Sequence, residues 1–225
     1  MFKKLLSLGA LLAASLVPSS AATLIVSDTI NTTFSPNTIS FTVGQFDPTL
    51  GTLNSILIEF SAVIDGDFTA TNQNSTDGTL SGSLLGTFTL DGPAPLAMPL
   101  LTLNPVSNFG PIAVLANSST PFSVPTAMDA DSFATALAGD FVPFIGLGTV
   151  GFDGTAAALV GINTNINPLL LQQDLRGEAT VTVTYDFTPG GVPDVPEPMT
   201  MYLMGGGLLA LGFMRRRPRS GKKPA

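Results

Sequence analysis

The sequence predicts an all-β protein: one antiparallel β-sandwich domain between two short apolar segments at the chain ends. Three observations point there. Runs with an apolar residue at every second position recur through the middle of the chain, clearest in "TISFTV" (Thr38–Val43) and "EATVTVTYDF" (Glu178–Phe187). The dipeptide Gly-Thr recurs at 51, 78, 86, 148 and 154, where Gly supplies a turn and Thr starts a strand. The chain of 225 residues is rich in Gly (23), Pro (18) and Phe (15), with 11% charged residues, which describes a folded, turn-rich chain rather than a disordered one.

Residues 1–22 read as an export signal. Lys3 and Lys4 precede a thirteen-residue apolar run, Leu5 to Val17, which Pro18 ends. Ser20 and Ala22 are the small residues a cut between Ala22 and Thr23 requires, and a cut after Ala21 meets the same rule. An uncleaved anchor is the alternative, but thirteen helical residues rise only ~20 Å against a ~30 Å hydrocarbon core.

Within 23–189 the strands follow in order. "TISFTV" places Ile39, Phe41 and Val43 on one face. "FDPTLGTL" reads as a corner, with Asp47-Pro48 starting a turn and Phe46, Leu50 and Leu53 going to the core. "LNSILIEFSAVI" (Leu53–Ile64) is a long strand with room for a bulge, and "TLSGSLLGTFTL" reads as strand, Gly break, strand. Pro93–Pro111 contains five prolines and is expected to be an irregular loop. One helix is predicted over 127–139: Thr126 caps it, Asp129 completes a capping box and Gly139 ends it. Ala179, Val181, Val183, Tyr185 and Phe187 form the apolar face of the last strand.

A linker, 190–195, leads to the tail. Pro196-Glu197-Pro198 cannot continue a helix backwards and holds an extended strip. Met199 to Met214 is sixteen uncharged residues, or ~24 Å of helix, which Tyr202 and a snorkelling Arg215 extend toward a bilayer's thickness. Arg215, Arg216 and Arg217 form a stop signal, and the basic tail 218–225 stays cytoplasmic. The precursor is thereby expected to be a hairpin across the membrane, with Thr23 to Asp194 outside.

The order of the segment 196–217 resembles the PEP-CTERM sorting signal of exopolysaccharide-producing Gram-negative bacteria. The resemblance implies that exosortase, a membrane-embedded protease, recognises Pro196, Glu197 and Pro198 and removes the tail, delivering the mature protein to the cell surface or biofilm matrix. A permanent tail anchor is the alternative. "QFDPTLGTLNSI" (Gln45–Ile56), "FIGLGTV" (Phe144–Val150) and the closing "ATVTVTYDFTP" are similar to phrases of the choice-of-anchor E domain. That resemblance implies a surface β domain and no reaction.

The charge pattern narrows the chemistry. Eight of nine Lys and Arg residues lie in the terminal segments, so the stretch from Thr23 to Asp194 sets fifteen carboxylates against Arg176 alone, a net of −14. Such a surface repels phosphate, so nucleic acid is not an expected partner. The absence of Cys and His excludes a catalytic triad built on either and removes the preferred zinc ligands. Asp65 with Asp67, and Asp129 with Asp131, have spacing that can hold Ca²⁺, although a full calcium loop would need further ligands and the pairs also suit solvated turns. Paired carboxylates could serve a polysaccharide hydrolase, but sugar sites usually offer aromatic platforms, and here there is no Trp and one Tyr, Tyr185, in the domain. Arg176 is expected to pair locally with Asp174 and Glu178. Acceptor patterns for glycosylation at Asn31, Asn74 and Asn117 arise readily by chance in an Asn- and Thr-rich chain. The leading expectation is therefore a structural or adhesive, non-catalytic surface or exopolysaccharide-matrix protein. A calcium-dependent polysaccharide binder and a matrix hydrolase stand as alternatives.

Overall fold

The structure, a computed structural model, describes residues 21–34, 37–190 and 203–208. Nine strands build the domain: β1 (Ala22–Thr32), β2 (Asn37–Gly44), β3 (Gly51–Asn72), β4 (Gly78–Asp91), β5 (Leu101–Leu103), β6 (Val106–Val114), β7 (Ser118–Thr135), β8 (Thr149–Thr164) and β9 (Leu169–Pro189). One sheet has the order β1-β9-β3-β7. The other has the order β2-β8-β4-β5, with β6 continuing along the same edge of β4. The ladders between strands are all antiparallel. If β5 and β6 count as one interrupted strand, this is the eight-strand order of a jelly roll, a form of β-sandwich.

Period-two sequence becomes a two-faced ladder. On β3, Ile56, Ile58, Phe60, Ala62 and Ile64 all point inward and are buried. On β9, Ala179, Val181, Val183, Tyr185 and Phe187 do the same, as expected. Against them β2 turns Ile39, Phe41 and Val43, and β8 turns Val150 and Phe152. Phe41 meets Phe60 edge-on across the interface at 6.1 Å. A second cluster fills the opposite end, where Phe68, Phe109 and Phe122 pack within 6 Å of one another. Each fully buried ring of this kind contributes roughly 1.5–3 kcal/mol.

Several expectations need correction. The helix predicted over 127–139 is instead the second half of β7. The edge of β3 needs a partner, and that pairing outweighs the local capping signal; Gly66↔Val124 and Ile64↔Ala127 frame a bulge that contains Pro125. Only a short 3-10 helix follows, Ala138–Phe144. The region 93–111 is not wholly irregular, since β5 and β6 pair in turn with the outer edge of β4. An edge position tolerates prolines that a central strand would not. Leu50 does not join Phe46 and Leu53 in the core; it is 43% exposed. The corner is otherwise as read: the Leu50 amide donates to the Asp47 carbonyl at 3.1 Å, and the Thr49 amide to Asp47 Oδ1 at 2.8 Å.

The glycines of "TLSGSLLGTFTL" do not break a strand: β4 runs unbroken from Gly78 to Asp91. Gly82 answers a close approach. A Cβ there would lie 2.1 Å from the Gly161 carbonyl oxygen on β8. At Gly151, on the same strand as Gly161, the nearest atom to such a Cβ is 3.9 Å away.

The tail is described only at 203–208, which is helical. Among the described residues no helix is long and apolar enough to cross a membrane. The predicted span 199–214 falls mostly outside the described residues, as do the signal segment up to residue 20 and the basic tail 218–225.

Gly82→Ala should destabilise the domain by ~1–3 kcal/mol, because the clash is with backbone. Gly151→Ala should be neutral or stabilise by up to ~1 kcal/mol through the unfolded chain. Urea denaturation midpoints of the two variants check this; equal losses would contradict the packing described.

Candidate functional site

The residues singled out by the sequence fall in separate places. Pro196, Glu197, Pro198, Arg215, Arg216 and Arg217 lie outside the described residues. Ala22 and Thr23 are the first two residues of β1, paired with Phe187 and Asp186 of β9. Asp65 and Asp67 lie on β3, and Asp129 and Asp131 on the edge strand β7.

Asp65 and Asp67 come together on the outer face of the first sheet, and what they hold is Arg176. In the β3–β9 register Asp65 lies opposite Arg176, and Asp67 opposite Asp174. Arg176 Nε donates to Asp65 Oδ1 at 2.9 Å and Nη2 donates to Asp67 Oδ2 at 2.7 Å; Nη1 lies 3.8 Å from Asp174. Of the partners expected from sequence, Asp174 is kept as the longest of the three ion pairs, while Glu178 gives way to Asp65, directly opposite across the ladder, and Asp67, diagonal to it. Ser123 of β7 adds its hydroxyl, 2.6 Å from Asp67 Oδ1.

The electrostatics follow from these contacts. The hydrogen bond from Ser123, then that from Arg176, hold the Asp67 carboxyl below its ordinary value. Hydrogen bonds from its side chain to Asp67 and Asp65 raise the Arg176 guanidinium above its own. Asp67, Ser123, Gln172, Gln173 and Asp174 rim an open hollow of about 540 Å³, with Phe68 and Phe122 among its walls. A smaller one, about 350 Å³, lies further along the same face beside Glu59, Ser132 and Thr182.

This arrangement can accept and donate hydrogen bonds to a polyol, but it is poorly set for hydrolysis. A glycosidase needs one carboxyl held protonated near neutral pH, and Asp67 is driven the opposite way. The guanidinium also occupies the position between Asp65 and Asp67 that a cation would take. Among the described residues, no three His, Cys, Asp or Glu side chains gather as a metal cluster.

Asp129 does structural work instead. Its Oδ2 accepts the Asn104 amide at 2.8 Å, tying β7 to the β5–β6 junction of the other sheet. Asp28 does the same on the opposite edge, where its Oδ2 accepts the Thr42 amide at 2.8 Å and joins β1 to β2. Asp131 accepts the amide of Ser132. Two charges on the core-side face of an edge strand also discourage edge-to-edge pairing.

Sequence reasoning missed Ser123 and the hollow. Ser123 had no signal while its neighbours were read without a strand. Arg176 is the available signal, as the lone cation among the fifteen acids of residues 23–194.

Comparison with known proteins adds little. No known family matches the chain, and no curated protein does. Among solved structures, that of the infectious bursal disease virus Gx strain covers 85% of the chain at 8% identity and a TM-score of 0.17. The T=1 particles derived from that virus cover 84% at 13% identity, also with a TM-score of 0.17. The chain spans about half the length of each. Superpositions this loose carry no argument for fold or function.

Two tests follow. Asp129→Ala should cost ~1–3 kcal/mol, since it orphans the Asn104 amide, while Asp129→Asn keeps an acceptor and should cost less; calcium chelation should leave the melting temperature of all three proteins unchanged. For the Arg176 cluster the sign is set by Asp67. A carboxyl depressed in the fold contributes stability above its unfolded value, near 3.8, and that contribution fades as pH falls through the lower folded value. Arg176→Met should therefore lose stability near neutral pH and approach wild type below that range. Thermal melts across pH measure it; a deficit that grows with acidity would contradict the assignment.

Proposed function

We propose that this chain is an exported, exosortase-sorted protein of the cell surface or exopolysaccharide matrix, with a structural or adhesive rather than catalytic role. The observation that carries the reading is the order of the tail: Pro196-Glu197-Pro198, sixteen uncharged residues, then Arg215-Arg216-Arg217. Strand boundaries support it. β1 begins at Ala22 and β9 ends at Pro189, so the described ladders use residues 22–189 and draw one residue, Ala22, from the segments assigned to targeting. A cut before Thr23 takes one residue from β1, and a cut after Ala21 takes none. A cut near Glu197 leaves β9 whole. The strongly acidic domain surface, with hydroxyls and amides along its outer faces, suits a hydrated matrix more than a phosphate-rich partner.

The test compares wild type with Glu197→Ala in a host that has its own exosortase, weighing the protein in each cell fraction. Wild type should appear as a tail-less form outside the inner membrane, with its N-terminus at Thr23 or Ala22. Glu197→Ala should fold and be exported, yet accumulate in the inner membrane at signal-cleaved, tail-intact mass. Wild type found only at that longer mass in the inner membrane would make the tail a permanent anchor.

A further inference from the structure

One end of the domain differs from the other in a way the sorting reading does not require. Both chain ends leave there, since Ala22 pairs with Phe187 and Gly51 with Pro189. The β2–β3, β4–β5 and β7–β8 connections turn at the same end. They expose six large apolar side chains: Leu50, Met98, Leu137, Val142, Ile145 and Leu147, the last at 84%. Near the opposite loops, among the described residues, the exposed large apolar side chains are Leu115, Leu170 and, at 37%, Ile162.

The display is held outward by hydrogen bonds. The Phe46 amide donates to the Phe144 carbonyl at 2.8 Å, and the Gly146 amide to the Phe46 carbonyl at 3.0 Å. Gln45 Nε2 donates to the Pro143 carbonyl at 2.9 Å, and Gln45 Oε1 accepts the Gly148 amide at 3.0 Å. Phe46 and Phe144 point inward beneath this lattice and fill the space there. Val142, Ile145 and Leu147 are thereby turned to the outside.

We propose that this loop end is a bilayer-contacting surface, whose apolar side chains enter the interfacial layer of a phospholipid membrane while the chain is tethered. The proposal rests on the reading of the tail given above. Nine residues, 190–198, separate Pro189 from Met199, and extended chain covers at most ~3.6 Å per residue, so on that reading this end hangs within about 35 Å of the bilayer. These loops carry no Lys or Arg, and they carry Asp47 and Asp140. Attraction is then apolar, and anionic lipid opposes it. Side chains that would bind weakly alone suffice at the high effective concentration a short tether imposes.

The chain has no Trp, so one introduced Trp is an unambiguous reporter. Leu147→Trp and Leu115→Trp are placed in the full chain, tail included, and reconstituted into phosphatidylcholine vesicles with and without brominated acyl chains. Both variants are first checked for the wild-type melting temperature; Val142→Trp replaces Leu147→Trp if the latter fails. The chain should float with the vesicles. Emission at 147 should shift to the blue and fall about twofold or more with brominated lipid, while emission at 115 stays unchanged. Replacing part of the lipid with phosphatidylglycerol should weaken the quenching at 147. If the chain floats but 147 and 115 behave alike, the contact is overturned and the tail reading stands. If 147 shifts to the blue without quenching by bromine, a second copy covers the surface and the proposal is likewise overturned. If the chain does not float, the tail reading fails and takes the proposal with it.

Discussion

The ladder between β3 and β9 sets the geometry of everything else. It runs from Gly51↔Pro189 to Asn72↔Leu169, with one register shift near its start, between Leu53 and Ser55. That shift matters because side chains alternate strictly: Leu53 and Ile56 are both buried three positions apart, so one extra residue restores the phase for the whole strand. Without it, either the corner at Phe46 or the row from Ile56 to Ala70 would face water. The same ladder delivers Tyr185 to the other sheet, where its hydroxyl donates to the Gly44 carbonyl at 2.8 Å. Burial pushes that phenol above its ordinary value, so it remains a neutral donor. Phe46, Phe144, Tyr185 and Phe187 then close the end of the sandwich around it.

The elements that were legible are those whose own residues state their environment. β2 and the second half of β9 alternate cleanly because one face is buried and the other is Thr and Ser, with Asp186. The corner at Asp47-Pro48 was legible because its side chain and backbone bond within four residues. β7 was not, because it is an edge strand. Its core-side positions include Asp129 and Asp131, which read as turn or cap chemistry until the other sheet supplies the Asn104 amide. Gly82 misled for a similar reason: its cause is the Gly161 carbonyl, some eighty residues away on β8. In the Arg176 cluster the sequence exposed the lone cation, but its partners are set by register, which no local pattern contains.

The domain is polarised along its strands. Asp65, Asp67, Asp174 and Arg176 lie in the half of β3 and β9 away from the chain's exits. The exposed apolar loops lie at the exits. The hydrogen-bonding hollow and the exposed apolar loops thus lie toward opposite ends of the strands. The two stitches at Asp28 and Asp129 help keep the sheets from sliding along that axis, because each is a charge-assisted bond from one sheet's edge to the other's backbone.

The first strand has a neighbour in its sheet only in the last. β1 pairs with β9, and Thr29 and Thr180, joined by a hydrogen bond, stand 151 residues apart in the chain. A polypeptide made from its N-terminus therefore cannot complete this sheet until nearly all of the domain has been released. Pairings between such distant segments form slowly, because the entropy of closing so long a loop is lost before contacts repay it. Until then β3 also lacks its central partner and lies open on that side. For a cytoplasmic protein this would be an aggregation hazard. On the export proposed above, the same delay would act as a timer, since the fold could not lock before the unfolded thread had passed.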